Sequence, residues 1–161
     1  MIEYKVKVDG NGSEYWYNSN DQLHREGDKP AYIGFDGEKE YCKNGELHRE
    51  GDKPAYISCE GYEEYFINGK LHREGDKPAH TRPDGYEGYY INGKLHRESG
   101  PAVITPTGRV EYWLNGEQVT KEWHKRRTQK VLNLTVAEIE AKFGQKVHIV
   151  KETDNTNQVG G

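Results

Sequence analysis

Aliphatic side chains are scarce in this sequence: Leu, Ile, Val and Phe supply 28 of 161 residues, while 31% of the chain is charged. By itself that balance points to disorder, because so little aliphatic surface cannot offset chain entropy. No apolar run is long enough to span a membrane as a helix, and Met1-Ile2-Glu3-Tyr4-Lys5 lacks the apolar core of a secretory signal. Cysteine is limited to Cys42 and Cys59, which fall at different phases of the repeat described below, so they are not a repeated ligand pair. A cytoplasmic chain with two free thiols is the expectation. What is present is aromatic, with 12 Tyr and three Trp. Each aromatic ring buries a large area, and Tyr can keep its hydroxyl wet at the edge of a thin core. Disorder is therefore rejected in favour of one thin, aromatic-rich array with a small appendage.

The array announces itself by Leu-His-Arg-Glu, which occurs at Leu23–Glu26, Leu47–Glu50, Leu71–Glu74 and Leu95–Glu98, each copy 24 residues after the last. A fixed period of this length signals a repeat architecture. Asn44-Gly45, Asn68-Gly69, Asn92-Gly93 and Asn115-Gly116 predict type I′ turns, which need positive φ at both central residues. A second turn is expected at Gly37, Gly61, Gly85 and Gly108. Between the turns, Tyr65-Phe66-Ile67, Tyr89-Tyr90-Ile91 and Tyr112-Trp113-Leu114 read as strands. Ala31-Tyr32-Ile33, Ala55-Tyr56-Ile57 and Ala102-Val103-Ile104 read as their partners, one β-hairpin per repeat. Gly-Asp-Lys-Pro links the copies at 27–30, 51–54 and 75–78, and the fourth link is shortened to Ser99-Gly100-Pro101. Hairpins that cannot bury a face alone are expected to stack on their neighbours.

These residues carry a resemblance. Tyr86 to Gly108, with Tyr86-Glu-Gly-Tyr-Tyr-Ile-Asn-Gly and a closing Gly, is similar to a MORN repeat, and the likeness covers roughly residues 14–118. It departs from that family in replacing the Gly-x-Gly link by the tetrad with Asp-Lys-Pro, and in placing Glu40 and Glu64 where the third copy has Gly88. It resembles more closely the divergent Leu-His-Arg-Glu-Asp-Gly-Pro-Ala repeats of bacterial and viral accessory proteins. The resemblance implies a mostly β, single-layer antiparallel β-hairpin array used to bind proteins and sometimes lipid headgroups, with no single chemistry.

Four segments follow: an N-terminal capping strand at 1–13, repeats at 14–119, a basic link plus helix–strand module at 120–152 and a mobile tail at 153–161. Ile2, Tyr4, Val6 and Val8 alternate with charged residues, the pattern of a half-buried strand. Thr135–Glu138 reads as a capping box, with Val136, Ile139 and Phe143 on one helical face before Gly144, and Lys146–Lys151 reads as a strand. That segment resembles a short C-terminal module of small tailed-phage proteins.

Charge is uneven: residues 121–161 carry eight Lys and Arg against five Asp and Glu, and the other 120 carry 15 against 22. A mildly acidic array does not favour nucleic acid, and an anionic membrane surface would repel it. The recurring His24, His48, His72 and His96 do not suggest a metal site. Neighbouring hairpins are about 9–10 Å apart, whereas zinc needs its ligands at about 2 Å. Four near-identical copies also offer no unique catalytic constellation, so no enzyme, cofactor or metal is expected. Arg25, Arg49, Arg73 and Arg97 are read first as braces of the links, paired with nearby acids. Together with the four His they also form a candidate row for a small phosphate-bearing ligand such as a nucleotide.

The leading reading is a binding module for a protein partner. The register-locked Tyr41, Tyr65, Tyr89 and Tyr112 are expected in the core, and Tyr62, Tyr86, Tyr90 and Trp113 form the candidate interface. The phage-like segment narrows this to a phage accessory protein, in the host cytosol, that binds and modulates a host enzyme or defence factor. A homo-oligomer through edge pairing stays open.

Overall fold

The computed structural model describes residues 3–132, together with Ala141 and Gly144. The capping box at Thr135, the strand at Lys146–Lys151 and the terminal tail lie outside the described residues. Two units are distinguished, Met1–His124 and Lys125–Gly161. The first is an open antiparallel sheet of 11 strands, running from Lys5–Val8 at one edge to Glu117–Val119 at the other. The fold is mostly β, as the repeat pattern predicts.

Each repeat contributes two hairpins rather than one. Tyr56–Ile57 pairs with Glu63–Glu64 in the long sheet, and Phe66–Ile67 turns through Asn68-Gly69 to pair with Lys70–Leu71 in a small sheet of its own. The sequence pattern had given Tyr65-Phe66-Ile67 as the partner of Ala55-Tyr56-Ile57. The registers differ because Glu63 and Glu64, charged and unlike strand residues, occupy the ladder. Tyr65 is a junction whose N–H donates to the Ala79 carbonyl of the next repeat at 2.8 Å. The Asn-Gly turns form as expected, with Asn44, Asn68, Asn92 and Asn115 at φ of 52°, 49°, 52° and 54°. A short polar side chain such as that of Asn makes that left-handed conformation cheap for a non-glycine residue.

Between the two hairpins runs the link. Gly51 and Asp52 are both left-handed (φ 79° and 55°), as are Gly27-Asp28 and Gly75-Asp76. Just before this doubled left-handed step, Arg49 lies over the Tyr41 ring on one face of the sheet. The core sits on that side: Ala31, Ala55, Ala79 and Ala102 have no exposure at all, and Tyr65 and Tyr89 are buried beside them. Tyr41 and Tyr112, expected to be buried with them, are only half-buried. We call this side the link face and the opposite side the open face.

The two ends of this unit are finished differently. At the N-terminus, Tyr4 accepts the Glu26 N–H on its hydroxyl at 3.0 Å, and its ring stacks on His24 at 6.4 Å. The strand Lys5–Val8 is exposed throughout, with Val6 and Val8 more than half exposed. The alternation at its residues therefore does not produce a half-buried strand, since nothing packs over this edge among the described residues. At the other end, a helix spans Lys121–Leu132 where a basic link was expected. Its signal in the sequence is the cap rather than apolar periodicity: Thr120 Oγ1 accepts the Trp123 N–H at 3.1 Å. His124 in its first turn is buried, packs its ring on Tyr112 at 5.0 Å and meets the Arg97 carbonyl at 2.7 Å. An imidazole thus occupies the fifth place in a series that Arg fills elsewhere.

Candidate functional site

The link face is governed by the tetrad. The guanidinium of Arg49 lies 3.4 Å over the Tyr41 ring, donates to the Pro54 carbonyl at 3.0 Å and to Asp28 of the preceding link at 2.6 Å. Lys53 donates to the other Asp28 oxygen at 2.6 Å. Arg73 repeats this with Tyr65, Pro78, Asp52 and Lys77, and Arg97 with Tyr89, Pro101 and Asp76, Ser99 replacing the missing lysine. Arg25 stacks on Trp16 and holds the Pro30 carbonyl. The cations keep the carboxyls of Asp28 and Asp52 well below the usual carboxylate range, Asp52 at about 2, and Arg97 lowers that of Asp76.

The histidines are committed through Nδ1, while Nε2 of His48 is buried without a hydrogen-bond partner among the described residues. Nδ1 of His24, His48, His72 and His96 accepts the N–H of Asn44, Asn68, Asn92 and Asn115 in the next turn, at 3.0–3.1 Å. An accepting Nδ1 places the proton on Nε2, which faces the Glu two residues on, from 3.3 Å at Glu26 to 4.0 Å at Glu98. Hollows of about 440, 620 and 280 Å³ do lie between successive links, and the His-Arg row lines them. The guanidiniums that would have to grip a ligand there already have their acceptors. Among the described residues no group of three or more His, Cys, Asp or Glu could hold a metal ion. Cys42 is buried, with its thiol pushed up to about 12 by burial and the nearby Glu40 charge, and Cys59 is exposed.

The open face is different. Directly paired residues in adjacent strands point to the same side, and one such row runs Tyr15, Tyr32, Glu40, Tyr56, Glu64, His80, Gly88, Val103, Glu111. Trp113, two along its strand from Glu111, shares that side; the Tyr86 and Tyr90 rings lie where a Gly88 Cβ would point, and Tyr62 joins them through Arg82. All four candidate interface residues therefore lie on one face, each half-buried.

Their arrangement depends on breaks in the repeat. At Gly88, where other copies carry Glu40, Glu64 and Glu111, an added Cβ would meet the Tyr90 ring at 2.8 Å and the Tyr86 ring at 3.4 Å. Glycine lets the two tyrosines close over the backbone. The sequence pattern did not single out His80 and Arg82, which replace the Tyr-Ile-Ser of the second copy at their strand. His80 packs on Tyr86 at 5.0 Å, lies 3.4 Å from Glu64 and accepts from Arg82 Nε at 3.1 Å. Burial and the Arg82 charge lower its pKa. The Arg82 guanidinium lies 4.6 Å over Tyr86 and 5.5 Å from Tyr62. Departure from the consensus was the available signal for both residues. Trp113 donates its indole N–H to Glu111 at 3.0 Å.

No protein-family model matches the chain, and no curated protein matches it. Among the described residues no helix is long and apolar enough to cross a membrane.

Proposed function

We propose that this protein is a non-enzymatic, MORN-like interaction module that engages a protein partner through its open face, centred on Tyr62, Tyr86, Tyr90 and Trp113. The observation that carries this reading is that all four fall on one face, where Tyr86 and Tyr90 close over Gly88, the point where the repeat is broken. Aromatic and Arg side chains dominate interface hot spots because they bury large, rigid areas. Here Arg82 stands among them. The narrower reading, an accessory protein of a phage that binds and modulates a host enzyme or defence factor, rests on the C-terminal resemblance alone. Affinity capture from bacterial lysate with identification by mass spectrometry tests the module. A specific partner is expected, lost in the Y86A/Y90A/W113A variant and weakened by Arg82→Glu at an exposed position. Recovery of the same partner by both variants removes the surface, and recovery of none removes the reading.

A second reading, sequestration of a nucleotide or similar phosphate compound, is favoured by the hollows that the His-Arg row lines. It requires ligand to displace Asp28 or Asp52 from Arg49 or Arg73. Thermal stabilisation by millimolar nucleotide, abolished by Arg49→Ala, is its expected signature, and a flat screen sinks it.

A further inference from the structure

The carboxylates of the open face recur in register, and they do not share the same fate. Glu111 is ion-paired with Arg109 at 2.7 Å, two residues before it and just ahead of its strand. Glu64 faces His80 at 3.4 Å and feels Arg82, whose charge draws its carboxyl down against the upward push of burial. Glu111 thus has a guanidinium partner, and Glu64, though still pushed up by burial, is served at a distance by the Arg82 charge. Glu40 has neither. The position matching Arg109 is Glu38, a second acid, and the position matching Arg82 is Ser58. Among the described residues no Lys or Arg pairs with Glu38 or Glu40; Glu40 has only the Cys42 thiol, at 3.9 Å. Burial and the adjacent Glu38 charge push the Glu40 carboxyl up, the mark of a half-buried anion without a counterion.

The surroundings of Glu40 suit a guanidinium. Tyr32 and Tyr56 flank it as its cross-strand neighbours on either side. The Tyr56 hydroxyl donates to Glu38 at 2.5 Å, and the Tyr15 ring lies 4.9 Å from Tyr32. Aromatic walls beside paired carboxylate oxygens supply both ring faces and forked acceptors. The chain shows its own preference: Arg25, Arg49, Arg73, Arg82 and Arg97 all lie over aromatic rings.

We infer that the open face takes an arginine side chain of its partner between Tyr32 and Tyr56, against Glu38 and Glu40, so that the docked segment is basic. The inference rests on the open face being the binding surface, and it names the chemistry of what binds there. The acidic balance of residues 1–120, 22 acids against 15 bases, steers a basic segment toward the array.

A fluorescein-labelled Gly-Arg-Gly-Arg-Gly peptide, titrated by anisotropy against the full chain at low salt, tests it, with Lys and Glu versions as controls. The Arg peptide is expected to bind more tightly than the Lys peptide, and the Glu peptide not at all. The E38Q/E40Q variant should weaken the Arg peptide at least tenfold, and Tyr56→Phe, which removes only the hydroxyl that orients Glu38, should weaken it less. Melting curves guard against misfolding, and E38Q/E40Q should melt no lower than the parent. No binding of the Arg peptide, or equal binding by E38Q/E40Q, overturns the inference. Partner capture that survives E38Q/E40Q but is lost in Y86A/Y90A/W113A overturns it while leaving the proposed function standing. Peptide binding without any captured partner does the reverse.

Discussion

On the link face, Arg49, Arg73 and Arg97 each meet a tyrosine ring, a proline carbonyl and the Asp of the preceding link, at nearly the same distances three times over. On the open face, the equivalent register holds Glu40, Glu64, Gly88 and Glu111, with a different set of neighbours at each. Both faces arise from the same 24-residue unit. Where a contact joins one repeat to the next, every copy needs the same residues, because each copy is its neighbour's partner. A face whose neighbours differ from copy to copy is released from that requirement. Repetition therefore marks the side that holds the array together, and variation marks the side that we propose meets a partner.

Four measurements would break or sharpen that contrast. The largest effect is expected from Ala79→Leu on the link face. Ala79 is fully buried, and overpacking such a site costs about 3 kcal/mol, read as a lower midpoint in urea. Next comes a matched pair of arginines. Arg73→Ala loses a ring contact, a carbonyl and a carboxylate, at about 2–3 kcal/mol. Arg82→Ala on the open face should change stability by less than about 0.5 kcal/mol. Equal losses at the two sites would erase the distinction between the faces.

Acid titration gives the third. The folded Asp52 carboxyl titrates at about 2 instead of 3.8, so its contribution is fully present above about pH 4 and is lost as pH falls toward 2. The stability difference between the parent and Asp52→Asn should shrink across that window. The smallest effect has the opposite sign. Glu40 is raised above its ordinary 4.5, so its charged form destabilises the fold above that raised value, and the penalty disappears below 4.5. Glu40→Gln should therefore melt slightly higher at pH 7 and equal to the parent at pH 4. A lower melt at pH 7 would mean that Glu40 has a structural partner.

Much of the link face was legible from periodicity. The tetrad, the Asn-Gly turns and the Gly-Asp-Lys-Pro links recur at fixed spacing, and local backbone chemistry requires them wherever a left-handed turn occurs. Three features were not legible. Glu63–Glu64 forms the sheet strand because tertiary pairing overrides the low strand preference of glutamate. The helix at Lys121–Leu132 has no apolar stripe, and only the Thr120 cap marks its start. His80 and Arg82 belong to the candidate site through positions across neighbouring strands, which sequence spacing does not reveal. Tyr62, Tyr86, Tyr90 and Trp113 could be chosen from the sequence as irregular aromatics, but not placed on one face.

The sequence by itself determined the repeat, its turns and the residues that brace one copy on the next, since these follow from short-range backbone preferences and a fixed period. The tertiary structure alone decided which side of the sheet the links would cover, and so which aromatic residues and carboxylates are left together on the other side. That outcome depends on strand register between repeats: a shift of one residue would exchange the two faces.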